Sequence, residues 1–134
     1  MTRGTTKAHI CRAALEAVCF QSTELLESIQ KDASVKIKEL RVDGGASISK
    51  VLLRIQSDQM RCRISRPKNI ETTAFGAAAL AGLGVGLWTS KEEIATKWQE
   101  DVSVEPQAWS EVLEKERKQW DSAVERTKLW SKDV

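Results

Sequence analysis

The stretch Val35-Lys36-Ile37-Lys38-Glu39-Leu40-Arg41-Val42-Asp43-Gly44-Gly45-Ala46-Ser47 changes character part-way along. Val35 and Ile37, then Leu40 and Val42, recur at a period of two, which sets alternate side chains on one face of a strand over Val35–Val42. The strand runs straight into Asp43-Gly44-Gly45-Ala46-Ser47. Beyond it Ile48, Val51, Leu52 and Ile55 form the apolar face of a helix expected from about Ser47 to Met60. Two glycines after a strand accept torsions that other residues resist, and they let a ligand approach the main chain. The helix that follows starts with unpaired N–H groups at the positive end of its dipole. Together these features suit a nucleotide. They also suit a plain tight turn, and the short Asp-Gly-Gly pattern does not separate the two.

On the N-terminal side, Ile10, Ala14, Val18, Leu25 and Ile29 predict a helix from about Lys7 to Lys31 with that stripe as its buried face. On the C-terminal side, Arg61-Cys62-Arg63-Ile64-Ser65 alternates as a short strand stopped by Pro67. Glu71, Thr72 and Thr73 open a helix rich in small residues that decays into Gly82, Gly84 and Gly86. Ser90 and Glu93 have the spacing of a capping box. After the break at Pro106, a last helix over about 107–131 carries Trp109, Val112 or Leu113, Trp120, Val124 and Trp130 on one stripe. That stripe packs on its own domain or on a partner. Helix, strand, glycine turn, helix, strand, helix is an α/β alternation.

Composition narrows the classes. The chain has 134 residues, is 41% hydrophobic and has a formal net charge of +2. This fits one packed core rather than two or a disordered chain. Near-neutral charge gives no reason to expect a nucleic-acid partner, and the basic cluster Arg61, Arg63, Arg66 and Lys68 lacks interleaved aromatics, so it reads as a solvated strand edge. Three cysteines without paired spacing make no disulfide framework and read as small buried hydrophobes in a reducing compartment. With a single His, they also provide no metal-ligand spacing. The N-terminus has no apolar run of the signal-peptide kind. The apolar stretch Ala74–Trp88 is shorter than the roughly 20 residues a bilayer needs, so a buried helix is expected there and the cytoplasm is the default compartment.

Few residues offer chemistry. No Gly-x4-Gly-Lys-Ser/Thr occurs, and Gly82-Leu83-Gly84-Val85-Gly86 follows a helix rather than a strand, which excludes a dinucleotide fingerprint. Asp43 has no second acid beside it and is expected to cap or orient the turn. His9 precedes a helix with no nucleophile arrangement around it, which is a structural setting.

Taken in order, the pieces resemble the C-terminal end of the FGGY carbohydrate kinases, on the branch that phosphorylates glycerol. The resemblance runs through Thr2-Arg3-Gly4-Thr5, His9-Ile10, Arg12-Ala13-Ala14-Leu15-Glu16 and Arg41-Val42-Asp43-Gly44-Gly45-Ala46. It continues through Gln56-Ser57-Asp58, Arg66-Pro67, Glu71-Thr72-Thr73-Ala74, Gly76-Ala77-Ala78 and Ala81-Gly82, then fades in the Trp-rich tail. It implies an α/β fold, part of an actin-like, ribonuclease-H-like ATPase domain that is helix-rich with a short sheet. Residues 1–90 would be the part of the C-terminal domain carrying the Asp-Gly-Gly nucleotide turn, and residues 91–134 its helical extension.

The implied reaction is ATP-dependent phosphorylation of glycerol to glycerol 3-phosphate, with MgATP as co-substrate and ADP as product. An Asp acts as base on the glycerol hydroxyl, while positioning and electrostatics do most of the phosphoryl transfer. By the same resemblance, Gly44 and Gly45 match the pair whose backbone lies against the adenine nucleotide. Ser49 stands where the family usually has an Asn that contacts adenine. Serine lacks the amide's paired donor and acceptor, so that contact is expected to be lost or water-mediated. The catalytic Asp, the phosphate loop and the glycerol site match no residue here and are expected upstream of Met1, as is the first half of the family signature. This chain therefore has no catalytic and no metal residue of its own. The alternative is an inactive relative that binds nucleotide weakly or associates, with itself or a full-length kinase, through an exposed sheet edge.

Overall fold

The computed structural model describes residues 1–108 and 110–128. The first helix, α1 (Lys7–Ala33), starts where the Thr6 backbone N–H donates to His9 Nδ1 at 3.0 Å. His9 is thus part of the helix cap, the structural role expected of it. The helix ends at Ser34, in the left-handed region at φ 53°, where Val35 N–H returns to the Gln30 carbonyl at 3.1 Å.

The chain then forms β1 (Glu39–Arg41), a 3-10 turn at Gly45–Ile48, α2 (Lys50–Met60), β2 (Arg63–Pro67) and α3 (Thr72–Gly84). A short helix α4 (Lys91–Ala95), a strand β3 (Glu100–Val104) and the helix α5 (Glu111–Thr127) complete the described order. The sheet has the order β1-β2-β3. β1 runs parallel to β2 with Leu40 opposite Ile64, and β2 runs antiparallel to β3 with Ile64 opposite Val104. Ile64 therefore sits at the centre of the sheet and is fully buried, worth roughly 1.5–3 kcal/mol by area. Around it pack Leu53 and Cys62, then Ile37, Leu40, Val42, Met60, Val102 and Val104.

Polar groups fasten the layers. Ser57 Oγ on α2 lies 2.9 Å from the Cys62 carbonyl and 3.1 Å from the Val104 carbonyl, so one buried hydroxyl ties helix to sheet. Gln56 Nε2 donates to Thr23 Oγ1 at 3.2 Å, joining α2 to α1. Beyond β3, Gln107 N–H donates to Asp58 Oδ1 at 2.8 Å, which holds the connection to α5 against α2. On α5, Arg117 reaches Glu27 of α1 at 2.7 Å.

Several expectations change. The stripe Ile10, Val18, Leu25 and Ile29 is not buried: these residues are 46–63% exposed. α2 grips α1 through Cys19 and Thr23, and α5 through Phe20, leaving the stripe on a third face. On α2, Leu53 and Ile55 are buried, whereas Val51, and Ile48 in the 3-10 turn before it, are exposed. The helix expected to be buried near 74–88 buries only Ala79 and Gly82 within α3, and Leu80, Val85 and Leu87 face solvent. The first strand is shorter than Val35–Val42, because Val35 belongs to the helix terminus. β3 was not foreseen at all. The basic cluster is not a strand edge, since β2 is the middle strand and its arginines pair across to β3. Trp120 packs on α1 as one of the two options required; Trp109 and Trp130 lie outside the described residues. No helix among the described residues is long and apolar enough to cross a membrane.

Candidate functional site

The Asp-Gly-Gly stretch leaves β1 at its carboxyl end, beside the carboxyl end of the parallel strand β2. In α/β sheets ligands bind in the crevice outside such ends. Gly44 has φ 75° and ψ 175°, torsions that an L side chain resists, so the residue type here is dictated by the bend. Its N–H donates to the Ile70 carbonyl at 2.9 Å, which draws the turn against the segment after β2. Ser47, almost completely buried, closes the turn from inside: its N–H and its hydroxyl both donate to the Gly44 carbonyl, at 3.1 and 2.6 Å.

Gly45 has an ordinary φ and begins the 3-10 turn. A Cβ on Gly44 or Gly45 would meet nothing within 4 Å, so both glycines border open space. Among the described residues, the backbone N–H groups of Gly45 and Ala46 have no acceptor. Ser49 caps α2, its hydroxyl oxygen accepting the Leu52 N–H at 3.2 Å. That leaves the hydroxyl proton free to donate outward. The three residues singled out in the sequence, Gly44, Gly45 and Ser49, thus lie on one turn. Asp43 does not orient it: among the described residues its exposed carboxylate makes no hydrogen bond, and Ser47 does that work.

Two further side chains, Arg66 and Trp98, complete the setting. Arg66 Nη1 donates to the Ser47 carbonyl at 3.1 Å, and its Nη2 pairs with Asp101 of β3. Trp98 lies beneath the Arg41 guanidinium at 4.3 Å from the ring centroid. Arg41 and Trp98, with Val42, Asp43, Pro67 and Thr72, line a cleft of about 210 Å³ beside the turn. Arg66 was visible as part of Arg66-Pro67 but was read with the basic cluster. Its partner Asp101 could have been found only with β3, whose signal is the alternation of Val102 and Val104 before Pro106.

Residues 1–85, which include the whole turn, match the FGGY family of carbohydrate kinases, C-terminal domain. The chain belongs to that family. This FGGY domain is 55% identical over 133 residues to a glycerol kinase of Deinococcus radiodurans, covering 99% of the chain and 26% of the relative. It is 49% identical to a glycerol kinase of Oleidesulfovibrio alaskensis, again over 99% of the chain and 27% of the relative. Among solved structures it resembles the crystal structure of Plasmodium falciparum glycerol kinase with ADP. That match has a TM-score of 0.83 at 33% identity and covers 98% of the chain and 26% of the other. The FGGY domain described here therefore spans about a quarter of the length of the relatives it matches. Its helix-rich architecture on a three-stranded sheet is that of the actin-like ATPase fold expected from the sequence.

Proposed function

We propose that this chain forms part of the ATP-binding side of an enzyme that transfers the γ-phosphoryl group of ATP to glycerol, giving glycerol 3-phosphate and ADP. The observation that carries the reading is the 55% identity to a glycerol kinase over 133 residues, a span that includes the glycine turn. The open space beside Gly44 and Gly45 supports it, since a planar base or a sugar can lie directly against the main chain there. Ser49 then offers one hydroxyl donor in place of an amide, so adenine is held more by contact with the turn than by paired hydrogen bonds.

The described residues supply positioning only. Among them no group of three or more His, Cys, Asp or Glu is arranged to hold a metal ion, and in this reading Mg²⁺ arrives with ATP. Magnesium, when bound with ATP, offsets the charge on the phosphates during transfer. The base that accepts the glycerol proton and the glycerol-binding groups are likewise assigned elsewhere in the enzyme, and we assign the cytoplasm as its compartment. A chimera tests the proposal. Residues 1–134 replace the matching quarter of the Deinococcus kinase, and ADP release is followed with and without glycerol. Glycerol-dependent turnover by the folded chimera, and none by the 134-residue chain alone, is expected. A folded chimera that neither binds ATP nor turns over glycerol would overturn it.

A second reading, an inactive association module, is favoured by one observation. The exposed stripe of α1 lies on the same chain as β1, a strand with only one neighbour in the described sheet. Light scattering distinguishes this reading: self-association, or binding to a full-length glycerol kinase without any turnover, supports it. A monodisperse monomer that ignores the kinase counts against it.

A further inference from the structure

Resting on the nucleotide reading of the turn, we propose that Arg66 and Asp101 together act as a positioning pair for that turn, setting nucleotide affinity without touching the nucleotide. The turn's backbone hydrogen bonds use three carbonyls: Gly44 accepts from Ser47, Ile70 accepts from Gly44, and Ala46 accepts from the Ser49 N–H at 3.1 Å. None of these bonds uses the Ser47 carbonyl, which lies between the glycine pair and Ser49. Arg66 fills that gap. Its Nη1 donates to the Ser47 carbonyl at 3.1 Å, and its side chain is only 13% exposed.

The guanidinium is held in turn by Asp101 on β3, the strand on the far side of β2 from β1. The sequence of contacts runs from Asp101 through Arg66 to the Ser47 carbonyl, and so links the last strand of the sheet to the turn after the first. Arg66 Nε is buried and has no partner among the described residues. The other two nitrogens of the guanidinium are both engaged, one on the turn and one on β3. Lysine at this position could reach one of the two acceptors but not both in the planar fork geometry.

The test uses two forms of the protein. In the full 134-residue chain, Arg66→Lys and Asp101→Asn are expected to speed hydrogen exchange at the Ser47 and Ser49 amides about tenfold, the equivalent of about 1.4 kcal/mol, while Ile64 is unchanged. Unchanged exchange at Ser47 would overturn the proposed strap. In the chimera, the same substitutions are expected to raise KM for ATP about tenfold and to leave kcat and KM for glycerol within about twofold. Arg63→Gln is the control: Arg63, on the same strand as Arg66, pairs with Glu100 of β3 at 2.6 Å and does not reach the turn. An equal rise in KM for ATP in that control, or no rise in the two variants, would overturn the positioning role. If the wild-type chimera binds no nucleotide, the proposed function fails, while the exchange measurement still decides whether the strap exists.

Discussion

Phe20 on α1 and Trp120 on α5 stack with ring centroids 5.1 Å apart and planes 18° from parallel. The indole Nε1–H also donates to Glu24 Oε1 at 2.7 Å, so one residue supplies both an apolar face and a polar tether. Trp120→Ala should therefore cost about 1–2 kcal/mol, from the lost ring pair and the lost hydrogen bond. Trp120→Phe keeps the ring pair and should lose about half of that. Urea unfolding gives the magnitudes, and limited proteolysis should show cleavage confined to α5; equal stability of all three proteins would refute the tether.

The glycine turn separates two effects in two substitutions. Gly44→Ala forces a side chain into torsions it resists and should destabilise the fold by about 1–3 kcal/mol. Gly45→Ala has neither strain nor a clash and should leave stability within about 0.5 kcal/mol. Its methyl group occupies the face assigned to the nucleotide, however, and should weaken ADP binding in the chimera about tenfold. Melting curves paired with an ADP titration check both. An unaffected titration for Gly45→Ala would place the nucleotide elsewhere.

A similar contrast holds along α3. A Cβ on Gly82 would sit 2.5 Å from Trp88 Cε3, whereas one on Gly76 meets nothing within 4 Å. Gly82→Ala should cost about 1–3 kcal/mol through overpacking and should shift Trp88 fluorescence. Gly76→Ala should stabilise by about 0.5–1 kcal/mol through helix propensity. The opposite order in thermal melts would contradict the packing described.

The thiols give a pH signature. Burial pushes the Cys19 thiol up to about 11, and Cys62 is also raised by burial, partly offset by a backbone hydrogen bond from Leu40. Below the ordinary thiol value of 9.0 both states keep the Cys19 proton, so its contribution to stability is complete. As pH rises from about 9 to about 11 the unfolded chain ionises first, and stability falls. Native protein at pH 8 should show one fast-reacting thiol, the exposed Cys11, and three after unfolding. Two fast native thiols would show that the core is looser than described.

Much of this was legible in the sequence, for identifiable reasons. Helix termini came through because capping is local: Ser90 accepts the Glu93 N–H, and Glu93 accepts from Thr89, within a few residues. The turn came through because only glycine suits the torsions at position 44. Burial did not, because Ile10 and Leu25 carry an apolar pattern whose covering surface is not part of the described fold. β3 and the Arg66–Asp101 pair were hidden by distance along the chain. Position 101 lies well beyond position 66, past two helices, and no local period announces such a pairing.

The outward stripe of α1 has a use in mutational screens. Ile10, Val18, Leu25 and Ile29 contribute little to holding the described fold together, so polar substitutions there should carry almost no folding cost. A selection for activity that rejects such substitutions would therefore be reporting on whatever lies over that face. Four positions on one helix thus become a sensor, built into the sequence, for contacts that lie outside the described fold.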